Sequence, residues 1–191
     1  MQHRHGNSRT MAERYNMRDF FEHLRLYVQE TGADEWGQKS AYIIGGGMTG
    51  LAVAVFLINE TKMQGYHVHI LEKETLPGGI SGKDANLYDS LILPVVRYLQ
   101  QRELRFHYDT TVTGVQFYTK DTMRFAGRIE LTNFGKTNVI DLTELDFVFS
   151  TVGSDIDAMN YASIRKISGS SAEKILQACA TKYAESQVMA N

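Results

Sequence analysis

The sequence is poor in cysteine and proline, and each shortage excludes something. A single cysteine, Cys179, rules out an intrachain disulfide and a cysteine zinc site. Two prolines, Pro77 and Pro94, leave no proline-rich linker. No apolar run approaches the length of a membrane span, and Met1 to Thr10 lacks the apolar core of a signal peptide. The expected location is therefore cytoplasmic. A net charge of −2 without a lysine or arginine run gives no electrostatic case for a nucleic-acid partner. No internal repeat is present. What remains is 191 residues, 43% apolar and 22% charged, enough for one globular domain with a small appendage.

The informative stretch runs from Ser40 to Ser81. Ala41, Tyr42, Ile43 and Ile44 lead into Gly45-Gly46-Gly47-Met48-Thr49-Gly50. A small-residue helical pattern to about Glu60 follows, then a second strand pattern, Tyr66 to Leu71, that ends on Glu72. Strand, glycine turn, helix, strand and acid in that order form a dinucleotide fingerprint. Gly45 permits the tight turn, Gly47 lets backbone approach a pyrophosphate, and Gly50 lets the helix pack closely on the sheet. The helix directs amide hydrogens and its positive dipole end toward that pyrophosphate. Glu72 can accept hydrogen bonds from ribose hydroxyls, and its charge disfavours a 2′-phosphate. The sequence Leu76-Pro77-Gly78-Gly79-Ile80-Ser81-Gly82 adds a second glycine loop, expected to run along the cofactor with Ser81 as a polar contact.

Around this unit the chain reads in order. Met1 to Tyr15 is polar, and its His3 and His5 have no acidic or cysteine partner nearby. Met17, Phe20, Phe21, Leu24, Tyr27 and Val28 share a helical face, with Asn16 as a cap and Gly32 as the stop. Trp36 is placed to anchor the connector. His67 and His69 flank Val68 at a metal-compatible spacing, but no third ligand is evident and no metal is expected. Tyr88 to Arg102 is an amphipathic helix in which Pro94 must lie in the first turn or mark a kink. A strand at Leu104 to Tyr108 precedes three alternating segments, Thr111 to Tyr118, Arg124 to Thr132 and Asn138 to Leu142, which read as a β-meander. Phe147 to Thr151 is a buried strand returning to the parallel sheet. A last helix over about Ser171 to Glu185 places Cys179 on its apolar face as a buried thiol.

The fold class is therefore α/β: a Rossmann-like FAD-binding domain of the two-dinucleotide-domain flavoprotein type, with an inserted antiparallel β-meander at about 111–142. Its limits are 38–154, flanked by an N-terminal tail and helix at 1–37 and a C-terminal helical tail at 155–191. Because the final strand ends in Thr151-Val152-Gly153, the layout favours FAD over NAD.

Two blocks carry a family resemblance. KSAYIIGGGMTGLAVAVFLINETKMQGYHVHILEKETLPGGISG resembles the amino-terminal FAD motif of the oleate hydratases, once called myosin-cross-reactive antigens, including Met63 and Gly65 before the second strand. NLYDSLILPVVRYLQQRELRFHYDTTVTGVQF, continuing through DLTELDFVFSTVGS, resembles the family's later YDS helix and its VTNGS strand end, with Pro94 at the family's own proline. The resemblance spans about Gln38 to Ser154. It implies FAD held by Gly45, Gly46, Gly47, Met48, Thr49, Gly50, Glu72, Lys73, Gly79 and Ser81. It further implies that Val112 meets adenine through its backbone, and that Thr151 and Gly153 approach the flavin. The family adds water to the cis double bond of unsaturated fatty acids, giving 10-hydroxystearate from oleate, with no net redox change.

The departures bear on activity. In the family a long segment with the catalytic acid, the catalytic tyrosine and much of the fatty-acid channel separates the second glycine loop from the YDS helix. Here Gly82 is followed almost at once by Lys83-Asp84-Ala85-Asn86-Leu87-Tyr88. Ile80 interrupts the family's GGS, Val152 stands where the family has asparagine, and the resemblance stops at Asp155. The expectation is an internally deleted, carboxy-terminally truncated member with no catalytic residues. It would bind unsaturated fatty acid by family resemblance only, and a second copy or a partner chain would cover its exposed apolar faces. The competing expectations are a stand-alone FAD or ADP module and a small FAD-dependent oxidoreductase.

Overall fold

A computed structural model describes residues 17–32, 36–37, 39–79, 85–120 and 123–151. Two sheets organise it. The parallel sheet comprises β1 (Ala41–Ile44), β2 (Val68–Leu71), β3 (Arg105–His107) and β7 (Phe147–Ser150), in the order β3-β2-β1-β7. The antiparallel meander comprises β4 (Thr110–Lys120), β5 (Met123–Asn133) and β6 (Lys136–Asp141), in that order. The Rossmann-like α/β layout with an inserted meander, as read from the sequence, is what the chain adopts.

Alternation along the short parallel strands decides which layer covers which face. Ala41, Ile43, Val68 and Ile70 point to one side, where they join a core with α1 (Met17–Thr31), α2 (Met48–Glu60) and α4 (Leu93–Gln101). Ile44 and Leu71 point to the other side and form a second core with Ile129 and Leu142, packed by Val112, Val115 and Val148. The meander thus serves as the cover for the second face of the parallel sheet.

In α2, Gly50 through Leu57 are all buried, which is why it lacks a polar face: sheet, α1 and α4 surround it. α1 is amphipathic instead. Its Phe21, Leu24 and Val28 are buried, Phe21 against Phe56 with ring centroids 5.0 Å apart. Gly32 ends it with φ +79; the Asn16 cap lies outside the described residues. The connector is anchored at Trp36, which is fully buried, stacks on Phe147 at 4.5 Å and has the Lys39 ammonium over its ring.

The second strand starts later than the sequence pattern indicates. Gly65–His67 is a single 3₁₀ turn, and a Cβ at Gly65 would stand 1.6 Å from the Arg102 carbonyl oxygen. The glycine allows the entry to β2 to lie against the end of α4. Pro94 is accommodated by a change of helix type. A turn of π-helix, Tyr88–Ile92, links α3 (Ala85–Leu87) to α4, and the proline falls in the first turn of α4. The wider turn removes the clash with the preceding carbonyl that a proline in a continuous α-helix would make.

Candidate functional site: a glycine cradle over a buried carboxylate

The site forms where β1 and β2 end and α2 begins. Gly45 turns the chain with φ +99, its amide donating to the Leu71 carbonyl at 2.9 Å. Gly50 is held by packing: a Cβ there would lie 1.9 Å from the Gly45 carbonyl oxygen. Gly47 caps α2 without a side-chain bond, and no acid occupies the first helical turn. A Cβ at Gly47 would meet nothing within 4 Å. The cradle is therefore tight where helix meets sheet and open where α2 presents its N-terminal end. Met48 and Thr49 are partly exposed at that end.

The second glycine loop lies directly against the first. The Gly78 amide donates to the Gly46 carbonyl at 2.8 Å, and Gly47 and Gly78 form a parallel bridge. Gly79, with φ +57, brings its Cβ position within 3.5 Å of Gly47 Cα. Ser81 lies outside the described residues, as does Gly153.

Glu72 sits beneath this double loop and is nearly fully buried. Its Oε2 accepts from the Gly46 amide at 2.6 Å and its Oε1 from the Glu74 amide at 2.9 Å. Each oxygen keeps a further lone pair for a hydroxyl donor. A Cβ at Gly46 would fall 2.9 Å from Oε2, so glycine is what lets the carboxylate reach the turn. Lys73 is exposed beside it. Thr151 closes the opposite side, its Oγ1 donating to the carbonyls of Ile44 at 2.9 Å and Gly45 at 3.1 Å. Val112, partly buried on β4, packs on the Ile44–Leu71 core just after the chain passes Glu72.

Three features escaped the sequence reading. Tyr108 lies close enough to Glu72 and Tyr88 that, after burial as the main cause, both help push its phenol up to about 12. Asn133, at the end of β5, donates to Tyr108 and Asp109 carbonyls and to Thr110 Oγ1. His69 Nδ1 meets His107 Nε2 at 3.0 Å. The sequence pairs His67 with His69; the structure separates them, placing His67 Nδ1 3.3 Å from Ser40 Oγ. The His69 and His107 ring centroids are 5.3 Å apart and the planes 21° from parallel. That separation exceeds the N···N distance by about two imidazole radii, so the nitrogens face each other along one line. This is the geometry of a shared proton; a metal needs lone pairs that converge beside the pair. Burial, then the neighbouring His107, lowers the His69 imidazole to about 4. No sequence signal marks His107, because the pair exists only through the register of β2 against β3.

The layered sheets and the glycine cradle define a Rossmann-like α/β protein. The sequence matches the MCRA family over residues 38–86 and 79–181, and the chain belongs to that family. The match runs past Asp155, where the resemblance read from the sequence alone stops. An oleate hydratase of Streptococcus pyogenes serotype M49 (strain NZ131) is 33% identical over 82 residues, 43% of this chain and 14% of that protein. Among solved structures, THI4 of Thermovibrio ammonificans aligns with a TM-score of 0.45 and 12% identity, covering 71% of this chain and 64% of that one. The bacillithiol disulfide reductase Bdr of Staphylococcus aureus aligns at 0.41 and 16%, covering 63% and 31%.

Proposed function

We propose that this chain is the FAD-holding portion of an oleate hydratase framework, and that by itself it binds FAD without hydrating fatty acids. The observation that carries the reading is the open face at Gly47. Two glycine loops and a helix end bare of acidic side chains meet there, above the buried Glu72. A pyrophosphate fits such a cradle because backbone amides and the helix dipole favour negative charge at close range. Gly45, Gly46, Gly47, Met48, Thr49, Gly50 and Gly79 would surround it, with Ser81 on the same loop. Glu72 would take ribose hydroxyls on its free lone pairs, with Lys73 beside it. Val112 would border adenine, and Thr151 and Gly153 the flavin end. In a hydratase of this family the bound flavin supplies structure and electrostatics.

Hydration needs an acid to protonate the alkene, a base to activate water, and a channel that keeps the acyl chain in register. Among the described residues at the cradle, the buried carboxylate is Glu72, and two backbone amides already engage it. Its role in this reading is binding. The unsaturated fatty acid of the family would then need protein beyond the cradle.

The test is reconstitution with FAD, desalting, and an absorption spectrum, followed by incubation with oleate and mass spectrometry. Flavin should be retained and 10-hydroxystearate should not form. A folded chain that retains no flavin overturns the binding reading. Formation of 10-hydroxystearate overturns the claim that catalysis is missing.

A further inference from the structure

We infer that Asn133 is the positioning residue through which the meander fixes the adenosine end of the cradle, an inference that rests on the FAD reading above. The chain leaves β3 and enters β4 through Tyr108, Asp109 and Thr110, and Asp109 takes a left-handed φ of +51 there. Aspartate enters that region more readily than most side chains, so its neighbours decide whether the turn is held there. The Asn133 Nδ2 group supplies the fixing. It donates to Tyr108 O at 3.1 Å, Asp109 O at 3.2 Å and Thr110 Oγ1 at 2.8 Å. The Thr110 hydroxyl in turn donates to Tyr108 O at 2.8 Å.

That turn is the backbone partner of Glu72. The Glu72 amide donates to His107 O at 2.9 Å, the Thr110 amide to Glu72 O at 2.9 Å, and the Asp109 amide to Glu74 O at 3.3 Å. Glu72 therefore hangs between two supports, the 107–110 turn on its backbone and the Gly46 and Glu74 amides on its carboxylate. Asn133 reaches the first support from the neighbouring strand β5, across the point where the chain passes from the parallel sheet into the meander. Moving the turn moves Glu72, and Val112 lies two residues beyond Thr110. The β4–β5 ladder already pairs Thr110 with Asn133, so the side chain's contribution lies in holding the turn rather than joining the strands.

The role depends on a donor. Asn133→Asp keeps size and shape but sets a carboxylate against two carbonyl oxygens, so it should be at least as harmful as Asn133→Ala. A space-filling role predicts the reverse order. The experiment compares the full chain with both variants by amide hydrogen exchange without cofactor, and by FAD titration. Exchange at Gly46, Glu72, Glu74 and Thr110 should quicken about tenfold, the loss of one net hydrogen bond. Ile129 and the α2 amides should stay as in the wild type. FAD affinity should fall about tenfold in Asn133→Ala and no less in Asn133→Asp. Should either variant fail to fold, Thr110→Val removes one of the three acceptors together with the hydroxyl's own bond to Tyr108 O, and should quicken the same amides. Unchanged exchange, uniformly faster exchange along the chain, or an Asn133→Asp protein that behaves as wild type would overturn the inference. A wild-type chain that takes up no FAD overturns the preceding section's reading, and the exchange pattern then decides the coupling alone.

Discussion

The parallel sheet and the meander meet at Glu72 but are stabilised by different means. The parallel strands are four residues or shorter, and β1 and β2 are mostly buried. Their stability comes from apolar packing on α1, α2 and α4. In the meander β4 and β5 run eleven residues each, and polar pairs line the exposed face: Gln116 with Glu130, Arg128 with Asp141 and Lys120 with Glu144. Its buried anchor is small, centred on Ile129 and Leu142 against Ile44 and Leu71. The part that would grip a cofactor is thus built on the more deeply buried half, while the more exposed half reaches in through Thr110, Val112 and Asn133. Substitutions in the buried cores of either half should cost folding; those at Thr110, Val112 and Asn133 should cost position.

The sharpest break is Gly50→Ala. A methyl group 1.9 Å from the Gly45 carbonyl oxygen must push helix from sheet, and the expected loss is about 3 kcal/mol or more by urea denaturation. Next, Ile129→Ala removes the fully buried centre of the second core. It should cost about 3 kcal/mol, and the meander should lose hydrogen-exchange protection before α2 does.

How much of this was legible from sequence follows the same division. The cradle was legible because its logic is local: Gly45 to Gly50 sit on consecutive residues, and Glu72 closes the next strand. Thr151 was legible as the end of an apolar run. The meander strands came within a few residues of their observed limits because alternation is also local. The Pro94 turn was legible as a conflict, but the π-helical solution depends on packing against the core. Asn133 and His107 were invisible, since each acts on a partner more than twenty residues away through strand register. Ser81, Gly153 and Cys179 lie outside the described residues.

A smaller effect tests the β2–β3 junction. His69, lowered to about 4 by burial and by His107, binds fewer protons folded than unfolded. Its contribution is complete above the unfolded value of about 6.5 and is lost as pH falls through 4. His107 is lowered as well, by burial and Arg105. Melting temperature should therefore decline between those limits, and His69→Gln should flatten the decline. An identical slope in the variant would remove the pair from the account. Smallest of all, Arg128→Ala breaks an exposed ion pair with Asp141 and should change stability by no more than about 0.5 kcal/mol.

The most direct measurement is flavin retention after desalting by the wild-type chain and by Gly47→Val, with melting curves for both. Gly47 has extended backbone at φ −69 and ψ −179, and nothing lies within 4 Å of a Cβ there, so valine should leave the chain folded, with a melting temperature lowered only by the poorer helix cap. It should nonetheless abolish flavin retention, because its side chain takes the space left for a pyrophosphate. Equal retention by both folded proteins, or retention by neither, would contradict the claim that the glycine cradle is an FAD site.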